Sequence, residues 1–293
     1  MAAAWTRPAA LDWARQILSR AGIDSATADA EWLLAGILGI GRGALHLDRH
    51  LPAEAASAYT GAVRRRAGRE PLQRILGWEE FHGLRFHLTG AVLIPRPETE
   101  VLVEWICDLL PPPDPGRHLV AVDLGTGSGC IACALARRRP DARVIALDLV
   151  PEAASVARMN AVALGEERRI HLMVGDLLDA VRPAAADLIV SNPPYLPTGM
   201  IASLAPEVSD DEPRQALDGG PDGLSVIRRL VRQAPSRLAA GGTLALETAG
   251  HAQACAVAIL LNDAGFRQVL VHNDLAGVKR FVAGREHLAE GRA

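Results

Sequence analysis

The chain has 293 residues, 49% of them hydrophobic and 22% charged, with a formal net charge of −3. That length allows a sizeable core and a satellite, about two domains, and the near balance of charge excludes a global field for nucleic acid. No run of 18 apolar residues appears, and no basic region followed by an apolar stretch and cleavage site opens the chain, so no membrane partner is expected and the expected location is the cytoplasm.

In chain order, Leu11, Ala14 and Leu18 share one face of a short helix. Ala30, Leu33, Leu34, Ile37 and Leu38 recur at i, i+3, i+4, i+7 and i+8, the period of an amphipathic helix. Asp24 or Ser25 can cap its start, and Gly39 lies beyond its end. Arg64-Arg65-Arg66 with Arg69 is the concentrated positive patch, whose default account is a solvated helix face. A small helical domain over residues 1–80 follows. Leu84, Phe86 and Leu88 alternate as in a hairpin strand, and a connector over 81–100 carries Val92-Leu93-Ile94-Pro95-Arg96-Pro97-Glu98-Thr99-Glu100 into the main domain at 101–293. Pro111 to Pro115 marks a loop.

Val120 to Asp123 is an apolar strand ending in an acid. It runs into Leu124-Gly125-Thr126-Gly127-Ser128-Gly129 and an apolar helical stretch, Cys130 to Ala136. Strand, glycine-rich turn and helix make the first unit of a doubly wound sheet, where ligands sit at the strand carboxyl ends. The spacing is GxGxG rather than GxGxxG, which departs from the dinucleotide fingerprint and favours another adenosine-bearing ligand over a nicotinamide cofactor. Cys130 and Cys133 form a CxxC with no second cysteine pair or nearby histidine, so they read as small buried core residues and no metal is expected. With Cys107 and Cys255 they fit a reducing compartment. A second strand, Arg143 to Leu147, ends in Asp148, about 20 residues past the loop, where a carboxylate takes ribose hydroxyls. A third, Ile170 to Val174, ends in Gly175-Asp176-Leu177, placed to touch a base. Each acid alone could be a helix cap or turn residue; three successive strands ending this way argue for a site.

Asp187 to Ser191 is a fourth strand, and it delivers Asn192-Pro193-Pro194-Tyr195 at its carboxyl end. The Asn side chain offers a carbonyl acceptor and an NH2 donor, so it can hold a planar amide or amidine in one orientation. The proline pair stiffens the turn and exposes carbonyls that need donors, and Tyr195 adds a ring face for stacking. A plain strand-terminating turn is the simpler account of four such residues; the glycine loop upstream decides against it. From Leu196 to about Leu224 a stretch with few periodic apolar residues reads as a lid or binding loop. Of its acids Glu207, Asp210, Asp211 and Glu212, the middle two read as solvated. Thr243 to Thr248, Arg267 to Val271 and Lys279 to Ala283 complete seven strands, and Glu247 reads as structural.

Asp123 to Gly129, Asp148 and Asp176 make the chain resemble the class I S-adenosylmethionine-dependent methyltransferases. Arg69-Glu70-Pro71-Leu72-Gln73, Ile75-Leu76-Gly77, the Val92 to Glu100 segment, Asn192 to Tyr195, Glu212-Pro213, Ala216-Leu217 and Asp222-Gly223-Leu224 narrow this to the HemK/PrmC family of protein-(glutamine-N5) methyltransferases. The resemblance implies an α/β fold, a Rossmann-like seven-stranded, mostly parallel sheet whose last strand is antiparallel, behind an N-terminal helical substrate-recognition domain. It implies S-adenosyl-L-methionine as cofactor, held by Asp123, Gly125, Thr126, Gly127, Ser128, Gly129, Asp148, Asp176, Leu177 and Asn192. It implies catalysis by Asn192, Pro193, Pro194 and Tyr195 on the glutamine of the Gly-Gly-Gln motif in peptide chain release factors, with consequences for translation termination. Related enzymes can carry an aromatic residue where Leu177 stands. No direct contact with nucleic acid is required, and a monomer is the default.

Two alternatives stand beside this reading. N6-adenine methyltransferases of DNA or RNA use the same loop, because an adenine amino group is also planar and conjugated, yet they need a basic surface for the backbone. Here the first 90 residues hold 11 arginines against 9 acids. A non-catalytic cofactor-binding protein is the other alternative, and it has no reason to retain both motifs.

Overall fold

A computed structural model describes residues 5–114 and 116–286; Pro115, the end of the proline-rich stretch, lies outside them. Contacts divide the chain into two units. One runs to Trp78 and includes the distant segment Ala205–Asp211; the other comprises Glu79–Leu204 and the chain from Glu212 onward.

The first unit is helical: α1 (Arg7–Arg20), α2 (Ala26–Leu38), α3 (Ala53–Ala67) and the single turn α4 (Leu72–Leu76). The apolar faces read from the sequence meet in one core, where Leu18, Leu33, Leu34, Tyr59 and Val63 are fully buried. Gly39 ends α2 in the left-handed region at φ 63°, which an L side chain adopts only at a cost. The solvated face expected for the arginine triplet fails at Arg66. Helical spacing puts Arg66 on the same side of α3 as Tyr59, Ala62 and Val63, and all four are buried. Its Nε donates to Asp29 Oδ2 at 2.7 Å and its Nη1 to Glu207 Oε1 at 3.1 Å. Arg69 Nε lies 3.1 Å from the same Glu207 oxygen. Arg65 remains at the surface, paired with Glu70.

A short hairpin, β1 (Trp78–Phe81) and β2 (Leu84–His87), starts at the last residue of the first unit's leading segment and precedes α5 (Pro97–Leu109) of the second. Seven strands then form one sheet: β3 (Leu119–Leu124), β4 (Ala142–Asp148), β5 (Ile170–Val174), β6 (Ala186–Ser191), β7 (Leu238–Glu247), β8 (Arg267–Asn273) and β9 (Lys279–Arg285), in spatial order β5-β4-β3-β6-β7-β9-β8. The first five pair in parallel, while β9 runs antiparallel to both of its neighbours. A strand covered on both faces must be apolar at successive positions. Leu188 and Val190 of β6 join the core beneath α5 and α6 (Cys130–Arg138), and Ile189 between them joins the opposite core beneath α8 (Ser225–Arg237) and α9 (His251–Asp263). Cys130 and Cys133 are buried in the first of these cores. β7 starts at Leu238, five residues before the expected Thr243, with a register irregularity opposite Ala186 and Leu188. Gly241-Gly242 interrupts its apolar pattern, which hides the strand's first half in the sequence.

Among the described residues, no helix is long and apolar enough to cross a membrane. The stretch read as a lid contains short helical turns: Thr198–Ser203 forms about two turns of 3-10 helix, and Pro206–Ser209 and Arg214–Leu217 about one turn each.

Candidate active site

β3 lies between β4 and β6, so the chain leaves it first in one direction across the sheet and later in the other. A crevice opens at the carboxyl ends of strands where the order reverses in this way. The loop after β3 is shaped by backbone that only glycine adopts freely: Gly125 and Gly127 have φ of 67° and 55°. A Cβ on Gly125 would meet nothing within 4 Å, so this side of the loop is open. Gly129 differs, because its Cβ would lie 3.2 Å from the Ala157 side chain; bare backbone there lets α6 pack closely on α7 (Pro151–Ala163). Asp148 braces the loop. Its Oδ2 accepts from Gly127 N and its Oδ1 from Val150 N, both at 2.9 Å. Each oxygen keeps a second lone pair, and that is what a ligand's hydroxyl groups require.

A cavity of about 500 Å³ occupies the crevice, within the range of small-molecule sites. Of the residues singled out in the sequence, Gly125, Thr126, Gly127, Ser128, Asp148, Asp176, Leu177, Asn192 and Pro194 line it. Asp123, Gly129, Pro193 and Tyr195 are not in the wall. Leu177 holds φ 48°, a conformation that costs a branched residue energy and that clusters at ligand sites. Asp176 Oδ2 accepts from Arg229 Nη2 at 2.7 Å, and Arg229 is itself in the wall.

Asp123 faces α6 at the root of the loop, fully buried. Its Oδ2 accepts from the Thr126 hydroxyl at 2.7 Å and from Ala132 N at 3.1 Å, while Oδ1 has no partner. Burial pushes its carboxyl up to about 7 against these two donors. A buried, half-satisfied carboxylate beside a concave glycine loop suits a ligand with a cationic or hydrogen-bond-donating end, as S-adenosylmethionine has.

The opposite wall is set by strand register. β6 and β7 run in parallel with Ser191 opposite Leu246, so the next residues, Asn192 and Glu247, are neighbours. Thr99, in the first turn of α5, lies between them: Asn192 Nδ2 donates to Thr99 Oγ1 at 3.1 Å, and the Thr99 hydroxyl donates to Glu247 Oε2 at 2.8 Å. Glu247 Oε1 lies 3.4 Å from the Tyr195 hydroxyl. Glu247 is 1% exposed, and burial pushes its carboxyl up to about 7 despite the Thr99 hydrogen bond and the charge of Arg280. Burial also raises the Tyr195 phenol, with the nearby Glu247 adding to it. The turn itself is held from behind, where Gln253 Nε2 donates to Tyr195 O at 2.9 Å.

Thr99, Arg96, Arg214 and Gln215 line the cavity without having been singled out as site residues. Glu212 reads from the sequence as one of several lid acids, yet it is 6% exposed and accepts from Ile94 N at 3.3 Å and Arg96 Nη2 at 2.9 Å. It ties the Val92 to Glu100 segment to the stretch read as a lid. The Glu212-Pro213 pair, already among the residues that carry the family resemblance, was the available signal.

Residues 9–77 match the family described as "PrmC N-terminal domain", and residues 99–204 match "Methyltransferase small domain". A release factor glutamine methyltransferase of Geobacter sulfurreducens is 44% identical, over 96% of this chain and 97% of its own. One of Cereibacter sphaeroides is 46% identical over 92% and 94%, and one of Caulobacter vibrioides 38% over 99% and 98%. Among solved structures, a methyltransferase from Pyrococcus furiosus aligns with a TM-score of 0.52 at 18% identity, over 71% of this chain and 91% of that one. The hMettl16 catalytic domain, solved with the MAT2A 3′UTR hairpin 1, aligns with 0.58 at 16%, over 84% and 85%. At such identities these two share the fold.

Proposed function

Because the chain belongs to the release factor glutamine methyltransferase family, we propose that it transfers a methyl group from S-adenosylmethionine to the N5 side-chain nitrogen of the Gly-Gly-Gln glutamine of a peptide chain release factor. The observation that carries this reading is that the glycine loop, Asp148 and Asn192 line one cavity. A cofactor cradle and an amide-holding residue thereby face the same space. The three relatives named above all carry the glutamine methyltransferase name, and the N6-adenine alternative is not favoured. All walls of the cavity come from the second unit of one chain, so a single copy suffices to form it.

Gly125, Thr126 and Gly127 would hold the cofactor at the end of β3, Asp148 its ribose, and Asp176 and Leu177 its base. When bound, it supplies an electrophilic methyl group on sulfur. The substrate amide is the weaker reactant, because its nitrogen lone pair is delocalised into the carbonyl. Asn192 Oδ1 and the Pro193 carbonyl would accept the two amide hydrogens, turning the nitrogen lone pair toward the methyl carbon and favouring a pyramidal nitrogen. Orientation of this kind contributes ~7–11 kcal/mol to lowering a barrier. The same acceptors strengthen as positive charge builds on nitrogen, which is stabilisation of the transition state rather than of the ground state. Asn192 takes no proton; the methylated nitrogen is acidic enough to release its own to water.

The test is transfer from labelled S-adenosylmethionine to a purified release factor and to its variant with the Gly-Gly-Gln glutamine replaced by alanine, with mass spectrometry of the peptide. Label in the native factor alone is expected. Label in neither factor, but in an adenine-containing oligonucleotide, would overturn the reading.

A further inference from the structure

The Asn192 side chain can serve as an acceptor only if its carbonyl, and not its NH2, faces the substrate. Nothing in the shape of an amide decides between these, since the two ends are nearly isosteric. The decision is made behind the residue. Thr99 Oγ1 has a single hydrogen, and that hydrogen is donated to Glu247 Oε2 at 2.8 Å. Oγ1 is left as an acceptor, and it takes the Asn192 NH2 at 3.1 Å. Asn192 Oδ1 has no protein donor among the described residues, and Asn192 lines the cavity.

Resting on the role proposed above for Asn192, we propose that Thr99 and Glu247 are positioning residues: the carboxylate directs the Thr99 hydroxyl, and the hydroxyl fixes the Asn192 amide with its oxygen toward the substrate. Glu247 is not in the cavity wall, whereas Thr99 is, so the carboxylate acts through the hydroxyl. Both are almost wholly buried, at 2% and 1% exposure, and an amide flipped against Thr99 would set its oxygen against a hydroxyl whose hydrogen is already committed. The direction survives protonation of the acid. A proton taken up on Oε1, the oxygen beside the Tyr195 hydroxyl, leaves Oε2 free to accept. Arg280 and Glu98 are the other charged groups that bear on this carboxyl.

The experiment compares Thr99→Val, Thr99→Ser and Asn192→Ala in the full chain, measuring kcat and KM for methyl transfer to release factor and the Kd of S-adenosylmethionine. Thr99→Val keeps the shape and removes the hydroxyl. It is expected to lower kcat by about 10–100-fold, the scale of a misplaced reacting group, with the cofactor Kd within twofold of the parent. Thr99→Ser restores the hydroxyl and is expected to recover most of the rate. Thr99→Val within twofold of the parent while Asn192→Ala is inactive would overturn the relay and leave the role of Asn192 standing. Equal losses in Thr99→Val and Thr99→Ser would also overturn it, because packing and not the hydroxyl would then be at work. Asn192→Ala within twofold of the parent would overturn the Asn192 reading itself, and the relay with it. Should Thr99→Val fail to fold, Thr99→Ala is read against Thr99→Ser in the same way.

Discussion

Gly223 presses its bare α-carbon against the active-site turn: a Cβ there would lie 2.3 Å from the carbonyl oxygen of Tyr195. Gly223 also holds φ 75°, and Gln253 Nε2 donates to both Tyr195 O and Gly223 O, at 2.9 and 3.2 Å. Gly223→Ala must therefore push the turn away from its support. The expected outcome is a fall in kcat of about tenfold or more, with S-adenosylmethionine affinity less affected, read by steady-state kinetics alongside calorimetric titration.

Asp148→Ala separates cofactor binding from chemistry. It removes the acceptor for Gly127 N and Val150 N together with the proposed ribose contact. Hydrogen bonds to a charged group contribute about 1.5–3 kcal/mol, and 1.4 kcal/mol is a factor of about ten. The Kd of S-adenosylmethionine is expected to rise about 10–100-fold, while kcat at saturating cofactor falls much less. Equilibrium titration and saturation kinetics on the same preparation check both halves.

Stability should fall as pH rises through neutrality. Burial lifts Glu247 from its ordinary 4.5 to about 7 and Asp123 from 3.8 to about 7. A carboxyl whose folded value is raised contributes stability that is fully present below its unfolded value and is lost as pH climbs through the folded one. For Glu247 the difference is on the order of 3 kcal/mol between about pH 4.5 and pH 7–8. Acids held below their ordinary values, such as Asp141 beside Arg139, act only at lower pH. Urea unfolding at pH 5 and pH 8 should show the parent less stable at pH 8. Glu247→Gln should lose about half of that slope, with Asp123 retaining the rest.

Asp29→Ala tests the helical unit. It strips one carboxylate from the buried Arg66, which keeps Glu207 at 3.1 Å and the Glu70 carbonyl at 3.2 Å. Breaking a buried ion pair from one side costs about 3–5 kcal/mol, and the remaining partners place this case near 3. The double change Asp29→Leu with Arg66→Met is expected to recover much of the loss, as followed by denaturant unfolding.

What the sequence disclosed is what neighbouring residues say together. Gly125 to Gly129 and Asn192 to Tyr195 each carry their chemistry within a few positions, and seven strands could be read from apolar runs. The register was not legible. Thr99 and Glu247 are 148 residues apart, and their meeting with Asn192 depends on Ser191 standing opposite Leu246, which no local pattern encodes. For the same reason Arg66 reads as one more surface arginine until Asp29 and Glu207 close around it. The early start of β7 was hidden by Gly241-Gly242, since two glycines interrupt the alternation by which a strand is read.

The chain passes between its two units three times, after Trp78, after Leu204 and after Asp211. A cut near residue 78 therefore does not part the two units cleanly. It strands Ala205–Asp211, whose Glu207 finds both its guanidinium partners, Arg66 and Arg69, in the part removed. Beads on a string can be gained, lost or exchanged one at a time during descent. These two parts are stitched together, and recombination at a single junction would leave a seam open in each.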